Sequence, residues 1–245
     1  YPDQGTGQTD DDRTSSFRMR NNVAIYGGFV GGETALSQRN PATNVTILSG
    51  DLQQNDTPNF GNNADNAYHV VVSEENDATA LLDGFTITGG NANGTGTNAR
   101  AGGIYILEDS TARFANLIIT GNTANSTGGG VYNQSSSPTF VQTVIVGNQA
   151  ADSGGGIYEI TASAHYTNVL LSGNVAGING GGVYADNSRT RFTNATIVGN
   201  RANDDGGGLY SEPSASDNPI LTNSIIWGNS NSQLVGLPEI TYSLV

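Results

Sequence analysis

The chain contains no cysteine and no lysine, and its 245 residues include only one methionine, one tryptophan and two histidines. Without cysteine it can form neither a disulfide framework nor a thiolate metal site. Two histidines far apart in the sequence argue against a zinc site as well. Without lysine, all nine basic residues are arginine, set against 22 acids for a formal charge of −13. That balance excludes duplex DNA and anionic membrane as expected partners, because phosphate recognition wants a basic face. No apolar run approaches the roughly 20 residues that span a bilayer, so no membrane insertion is expected. A signal peptide is also missing, and a chain that opens on Tyr1 reads as an excised or processed segment. Glycine, by contrast, is abundant at 34 residues. Each glycine inside a helix costs about 1 kcal/mol relative to alanine, so a helical protein is excluded.

The glycines keep a beat. Five glycine runs lead through an aliphatic residue to Tyr105, Tyr132, Tyr158, Tyr184 and Tyr210, at steps of 27, 26, 26 and 26. A Gly-Asn pair keeps the same time at Gly121-Asn122, Gly147-Asn148, Gly173-Asn174 and Gly199-Asn200. Fixed periods of this size mean stacked units, each covering its neighbour's core. Within a unit lie three short apolar stretches rich in β-branched and aromatic residues and bounded by Gly, Asn, Asp and Ser. Three strands and three turns in about 26 residues predict one coil of an all-β, single-stranded, right-handed parallel β-helix. Roughly eight such coils form a rod about 40 Å long at ordinary strand spacing.

Aligning the units gives columns. Phe114, Phe140, Tyr166 and Phe192 share one register, continued by Leu82 and Leu221. Ala124, Ala150, Ala176 and Ala202 share another, in the turn after Gly-Asn. Both are expected as interior ladders. Asn116, Gln142, Asn168, Asn194 and Asn223 read as an amide ladder in a turn. The asparagine of each Gly-Asn pair is expected at a bend with left-handed or otherwise unusual backbone. Residues 1–66 read as irregular N-terminal coils and loops and 67–245 as the regular helix, in one continuous domain. LPEITYSLV (237–245) repeats the middle of the unit and stops where another Gly-Asn is due. The expectation is a rod cut within a coil, continuing into adjoining coils of a longer parent or into another copy.

GFVGGETALSQRNPATNVTILSGD (28–51), AYHVVVSEENDATALLDGFTITGGNANG (67–94) and NSIIWGN (223–229) resemble bacterial surface and secreted right-handed parallel β-helix proteins. Some of these end in a choice-of-anchor sorting domain. The Gly-Gly-aliphatic units are also similar to the repeats of polymorphic outer membrane proteins. The resemblance implies a large extracellular protein of adhesive or structural role. The wider pectate-lyase-like superfamily shares the coil and includes polysaccharide lyases and hydrolases, so fold alone does not dismiss an enzyme. Galacturonan hydrolases of that superfamily carry Asn-Thr-Asp, Asp-Asp and Gly-His-Gly sets. Here Asp204-Asp205 stand alone and Gly-His-Gly is missing.

Among candidate chemistry, Asp152, Asp186, Glu159 and Asp204-Asp205 could supply a carboxylate pair for glycoside hydrolysis. Turn residues are the preferred reading of the aspartates that precede the glycine runs. Lyases similar in fold use an arginine or lysine base beside calcium-binding acids. Arg113, His165 and Arg191 precede the aromatic column at equivalent positions, with Thr139 between, and should point out on one face. Such a strip could bind an acidic glycan or abstract a proton; plain exposed side chains are the preferred reading. Glu108-Asp109 and Glu74-Glu75 could hold calcium, though they lack the nonapeptide pattern of calcium-binding β-rolls. His69, before three valines, is expected to be a satisfied structural histidine.

The leading expectation is therefore a non-enzymatic extracellular structural or adhesive segment of a bacterial surface protein, stacking head to tail into a fibre. It has no catalytic residue and no cofactor. The alternative is a glycan-binding module or polysaccharide lyase or hydrolase acting on the Arg113/His165/Arg191 face. That alternative predicts a groove flanked by the loops 51–66, 91–101 and 211–219. An ice- or mineral-binding face ranks last, because the threonines form no unbroken column.

Overall fold

The computed structural model describes residues 1–212 and 216–245. Of the 211–219 loop, 213–215 thus lie outside the described residues. Every strand pairing is parallel and joins equivalent positions of successive coils, for example Tyr132 to Tyr158 and Phe140 to Tyr166. The result is a parallel β-helix, with the right-handed sense favoured for parallel crossovers.

Each regular coil holds four strands rather than three. In one coil these are Val131–Gln134, Thr139–Val141, Val144–Val146 and Gln149–Ala150. They stack into sheets A, B, C and D of eight, eight, seven and five strands. The extra strand is the two-residue segment holding the alanine column, too short to show a period of its own. Sheet A runs from Phe17–Arg18 to Leu234–Val235 and sheet B from Ala24–Tyr26 to Glu239–Thr241.

Alternation within each short strand decides the core. In Val131-Tyr132-Asn133 the first and third side chains point inward and the tyrosine outward, because successive Cβ atoms take opposite faces. The inward columns are Val131/Ile157/Val183/Leu209 from sheet A, Phe114/Phe140/Tyr166/Phe192 from sheet B and Ile119/Ile145/Leu171/Ile197 from sheet C, all fully buried. The four aromatic rings stack at 4.7, 4.8 and 5.0 Å. Each such side chain contributes about 1.5–3 kcal/mol by leaving water. The alanine column is buried too, as expected.

The corners explain the polar marks, and two of them differ from expectation. At the B-to-C corner, Asn116, Gln142, Asn168, Asn194 and Asn223 all have left-handed backbone, φ 51–56°. One residue in that region turns the chain, and asparagine tolerates it best after glycine. Ladder bonds run only from Asn223 to Asn194 (2.7 Å) and from Asn194 to Asn168 (2.9 Å). Asn116 donates instead to Asp83, at 2.7 Å. At the C-to-D corner the glycine of each Gly-Asn pair takes the left-handed bend, φ 62–65° from Gly121 to Gly199. The asparagine after it is freed to point inward.

That buried asparagine is the continuous amide ladder. Asn122, Asn148, Asn174, Asn200 and Asn229 donate and accept in series, Nδ2 to Oδ1, at 2.9–3.1 Å. Each also donates to a carbonyl of the preceding coil, as Asn174 does to Ile145 at 2.9 Å. Each Oδ1 accepts a backbone N–H as well, so no polar atom of these side chains is left unpaired.

The glycine run and the Gly-Asn mark are in contact, which is why they keep one beat. A Cβ on Gly156 would lie 3.1 Å from the Asn174 side chain. A Cβ on Gly155 would strike the Val175 carbonyl and come within 2.7 Å of the Gly181 oxygen. Both clashes are with backbone or a buried ladder that cannot swing away. Gly155→Ala is therefore expected to cost about 2–3 kcal/mol, as overpacking of a rigid site does, measured by urea denaturation.

Candidate functional site

Outside sheet A, a stack of six rings runs down the rod. His69 lies 4.7 Å from Tyr105, and Tyr105, Tyr132, Tyr158, Tyr184 and Tyr210 follow at 5.4, 5.4, 4.9 and 5.2 Å. Sequence periodicity marked these tyrosines without assigning their face; alternation with the inward aliphatic was the available signal. Burial pushes the Tyr158 hydroxyl up to about 12, with neighbouring Tyr132 adding to it, so the phenols stay neutral. Ring faces in such a stack cover one another, leaving only edges to solvent. A sugar, which packs its C–H face onto an exposed ring face, finds no platform along it. His69 is satisfied as expected: its Nδ1 lies 2.8 Å from the Ala101 carbonyl, which can only accept, so Nδ1 carries the proton. Burial lowers its pKa and keeps it neutral.

Outside sheet B, Arg113, Thr139, His165 and Arg191 stand in register. The three basic side chains are exposed and make no ion pair or hydrogen bond with the described residues. The strip exists as expected, on the outer face of sheet B. Loops 51–66 and 91–101 do not flank it: the first lies over the sheet D side, where Asn91 Nδ2 donates to the Asn63 carbonyl at 2.6 Å, and the second reaches the sheet A face, where Arg100 donates to the Tyr132 hydroxyl at 3.2 Å. This corrects the expected placement of the groove, and the cause is topological: both loops lead into sheet A strands, at the D-to-A corner. The threonine column is broken along the rod, where Asp83, Ala115 and Val141 occupy its upstream positions. Thr167, Thr193, Thr222 and Thr241 form an unbroken run of four, one column wide, that ends upstream at Val141.

Glu159 points into the coil and is fully buried. Its carboxylate accepts from the Tyr166 hydroxyl at 2.6 Å and from Asn133 Nδ2 at 2.8 Å. Burial pushes its pKa up to about 7, against the downward pull of the Tyr166, Asn133 and Thr190 side chains. Sealed from solvent, it reaches no substrate. Asp204 and Asp205 are exposed turn residues, and Asp152 accepts from the Ser126 hydroxyl of the preceding coil at 3.0 Å. Asp186 lies at the end of its sheet A strand. None of these carboxylates pairs with Glu159.

Glu108 and Asp109 form a left-handed turn, φ 56° and 57°, on an open cleft shared with Glu75 and Asp77. Glu74 is turned aside by a 3.0 Å ion pair with Arg18. Among the described residues no three His, Cys, Asp or Glu side chains are grouped to hold a metal ion. No helix among them is long and apolar enough to cross a membrane.

Residues 116–134 match the Chlamydia polymorphic membrane protein repeat. The matched stretch runs from the left-handed Asn116, through Gly121-Asn122 and the glycine run, to the end of the sheet A strand at Gln134. It thus contains one copy of each mark, the Gly-Asn pair and the glycine run. Together with the stacked parallel sheets, it fits a parallel β-helix repeat protein of the polymorphic outer membrane type. The match points to a bacterial surface or outer membrane protein. No curated protein and no solved structure matches the chain.

Proposed function

We propose that this chain is a non-enzymatic, extracellular β-helix rod that serves as a structural or adhesive segment of a bacterial surface protein. The observation that carries the proposal is the repeat of polymorphic membrane type within a rod whose recurring polar residues are absorbed into ladders and corners. Glu159, whose pKa burial raises to about 7, is sealed inside the coil, and the basic strip lies on the outer face of sheet B. The acidic-glycan alternative has two unpaired arginines and an exposed histidine in its favour. End-to-end packing, with adjoining coils or a second copy, belongs to the same proposal. The inward columns that are buried in mid-rod are 40% exposed at Ile25 and 43% exposed at Ile240. Such uncovered strand edges invite pairing.

Antibody labelling of intact cells of the source bacterium tests display: binding without permeabilisation is expected, and labelling only after permeabilisation would overturn it. Incubation with pectin, alginate and chondroitin, with and without calcium, tests the non-enzymatic part. An unsaturated or shortened product would sink it.

A further inference from the structure

The D-to-A corner carries a groove of about 440 Å³ that none of the candidate residues from the sequence foresaw. It runs along the rod axis, because Thr123, Gln149 and Val175 in its lining are stacked partners of successive coils. Its lining includes the exposed Ala151 and no charged side chain, in a chain of formal charge −13. Its polar groups are amides and a hydroxyl. The Asn125 and Gln149 side chains are exposed and make no hydrogen bond with the described residues, so both are free to bind. The Thr123 hydroxyl donates to Asn91 Oδ1 at 3.0 Å and keeps its lone pairs available.

One end is closed by Phe60, at the tip of the 51–66 loop. The tip is a small clasp in which Thr57 N–H donates to the Gly61 carbonyl at 2.8 Å and Gly61 N–H returns the bond at 3.2 Å. Inside it Asn59 and Phe60 both have left-handed backbone, φ 62° and 60°. That conformation is ordinary for asparagine and unfavourable for a bulky aromatic. A backbone outlier of this kind costs about 1–3 kcal/mol and is held where the surrounding structure needs the side chain in that place. Here it delivers an aromatic ring to the mouth of a groove. Asn91, which holds both the Asn63 carbonyl and Thr123, braces the wall behind it.

We propose that this groove binds a neutral oligosaccharide, with Phe60 as the stacking platform and the Asn125 and Gln149 amides bonding to sugar hydroxyls. Free amides match hydroxyls, which donate and accept alike, while the Phe60 ring and the Ala151 and Val175 side chains match the C–H faces of a sugar. With no charged side chain in the lining itself, a neutral sugar suits it better than a uronate or sulfated chain, although Arg201 follows Val175 in the same column. An extended peptide fits poorly: it binds by adding to a sheet edge, and this groove crosses paired strands at right angles and offers only side chains. The inference deepens the adhesive reading above and rests on it for access to a glycan, yet binding by the purified chain is independent of display.

The test is isothermal titration of the purified full chain with cellohexaose, laminarihexaose, maltohexaose, mannohexaose and chitohexaose, beside an oligogalacturonate and an Asn/Ser/Thr-rich peptide. Saturable binding of at least one neutral hexasaccharide is expected. Phe60→Ala should weaken it about three- to tenfold, the worth of one aromatic contact, and Phe60→Trp should retain it. Asn125→Ala combined with Gln149→Ala should weaken it by a similar factor, while an Arg113→Ala, His165→Ala, Arg191→Ala triple variant should leave it unchanged. The amide and basic-strip variants should keep the parental Tm, since those side chains are exposed, and the Phe60 variants should keep the parental cooperative unfolding transition. The proposal is overturned if no neutral hexasaccharide binds, if only the acidic sugar or the peptide binds, or if Phe60→Ala binds as the parent does. Failure of surface labelling with sugar binding intact would instead remove the display reading alone.

Discussion

Asn174→Ala is expected to lower the unfolding free energy by about 4 kcal/mol, although it deletes one small polar side chain. Four bonds end on that amide. Its Nδ2 donates to the Ile145 carbonyl and to Asn200 Oδ1, both at 2.9 Å, and its Oδ1 accepts from Asn148 N and Asn148 Nδ2, both at 3.1 Å. Removing it leaves buried donors on Asn148 and a buried acceptor on Ile145 without their partner, and each orphan costs about 1–3 kcal/mol. Water cannot reach the site to compensate, since Asn174 is fully buried. The effect should be read in urea denaturation as a lower midpoint, and in hydrogen exchange as lost protection of the Asn148 amide.

The corner column should respond by a different rule, which separates the two asparagines experimentally. Asn194 has φ 55° and ladder bonds in solvent. Asn194→Ala should cost about 1 kcal/mol, mostly the penalty of a left-handed alanine. Asn194→Gly should recover most of that loss, because glycine accepts the conformation freely. Asn174→Gly should be at least as damaging as Asn174→Ala, since its loss is of hydrogen bonds and glycine restores none. Recovery at position 174, or none at 194, would mean the columns have been assigned to the wrong roles.

These two columns also mark where the sequence was legible and where it was not. A 26-residue beat forces like residues to stack, so the solenoid, the buried aromatic ladder from Phe114 to Phe192 and the outward Arg113, His165 and Arg191 could be read directly. Asparagine, however, suits a left-handed corner and a buried amide ladder equally well, and composition does not choose between them. The deciding clue was the glycine before Asn122, Asn148, Asn174 and Asn200. Once a glycine takes the bend, its neighbour is free to face inward. The third glycine of each run leaves the room that inward amide needs, as the 3.1 Å approach at Gly156 shows. The fourth strand escaped because two residues, such as Gln149–Ala150, hold no alternation to detect. Phe60 escaped for a further reason. It occurs once, in a loop, and only the stacked coils decide that this loop overhangs sheet D and not the basic strip.

Glu159 sets the second large effect, and its sign runs against the usual acid denaturation of carboxylates. Its folded pKa of about 7 lies above the ordinary 4.5, because the buried coil interior disfavours the charged form. The folded state therefore binds this proton more tightly than the unfolded one, and stability from this group is fully present below about pH 4.5. It is lost as pH rises through about 7, and the total loss is about 3 kcal/mol for a shift of this size. Glu159→Gln removes the titration. The introduced amide can still accept from the Tyr166 hydroxyl. Its N–H₂ would face Asn133, and a turn of the Asn133 amide presents that N–H₂ with the Oδ1 acceptor now buried without a partner. The variant should be about as stable as the parent near pH 4 and more stable by about 3 kcal/mol near pH 8, with the gap opening between those values. Because the exposed acids are common to both proteins, the difference between the two urea-denaturation curves isolates this one carboxyl. A gap that stays constant with pH would mean that Glu159 does not change its charge in the folded rod. A gap that widens toward acid would mean that it is held ionised there, by a partner stronger than Tyr166 and Asn133.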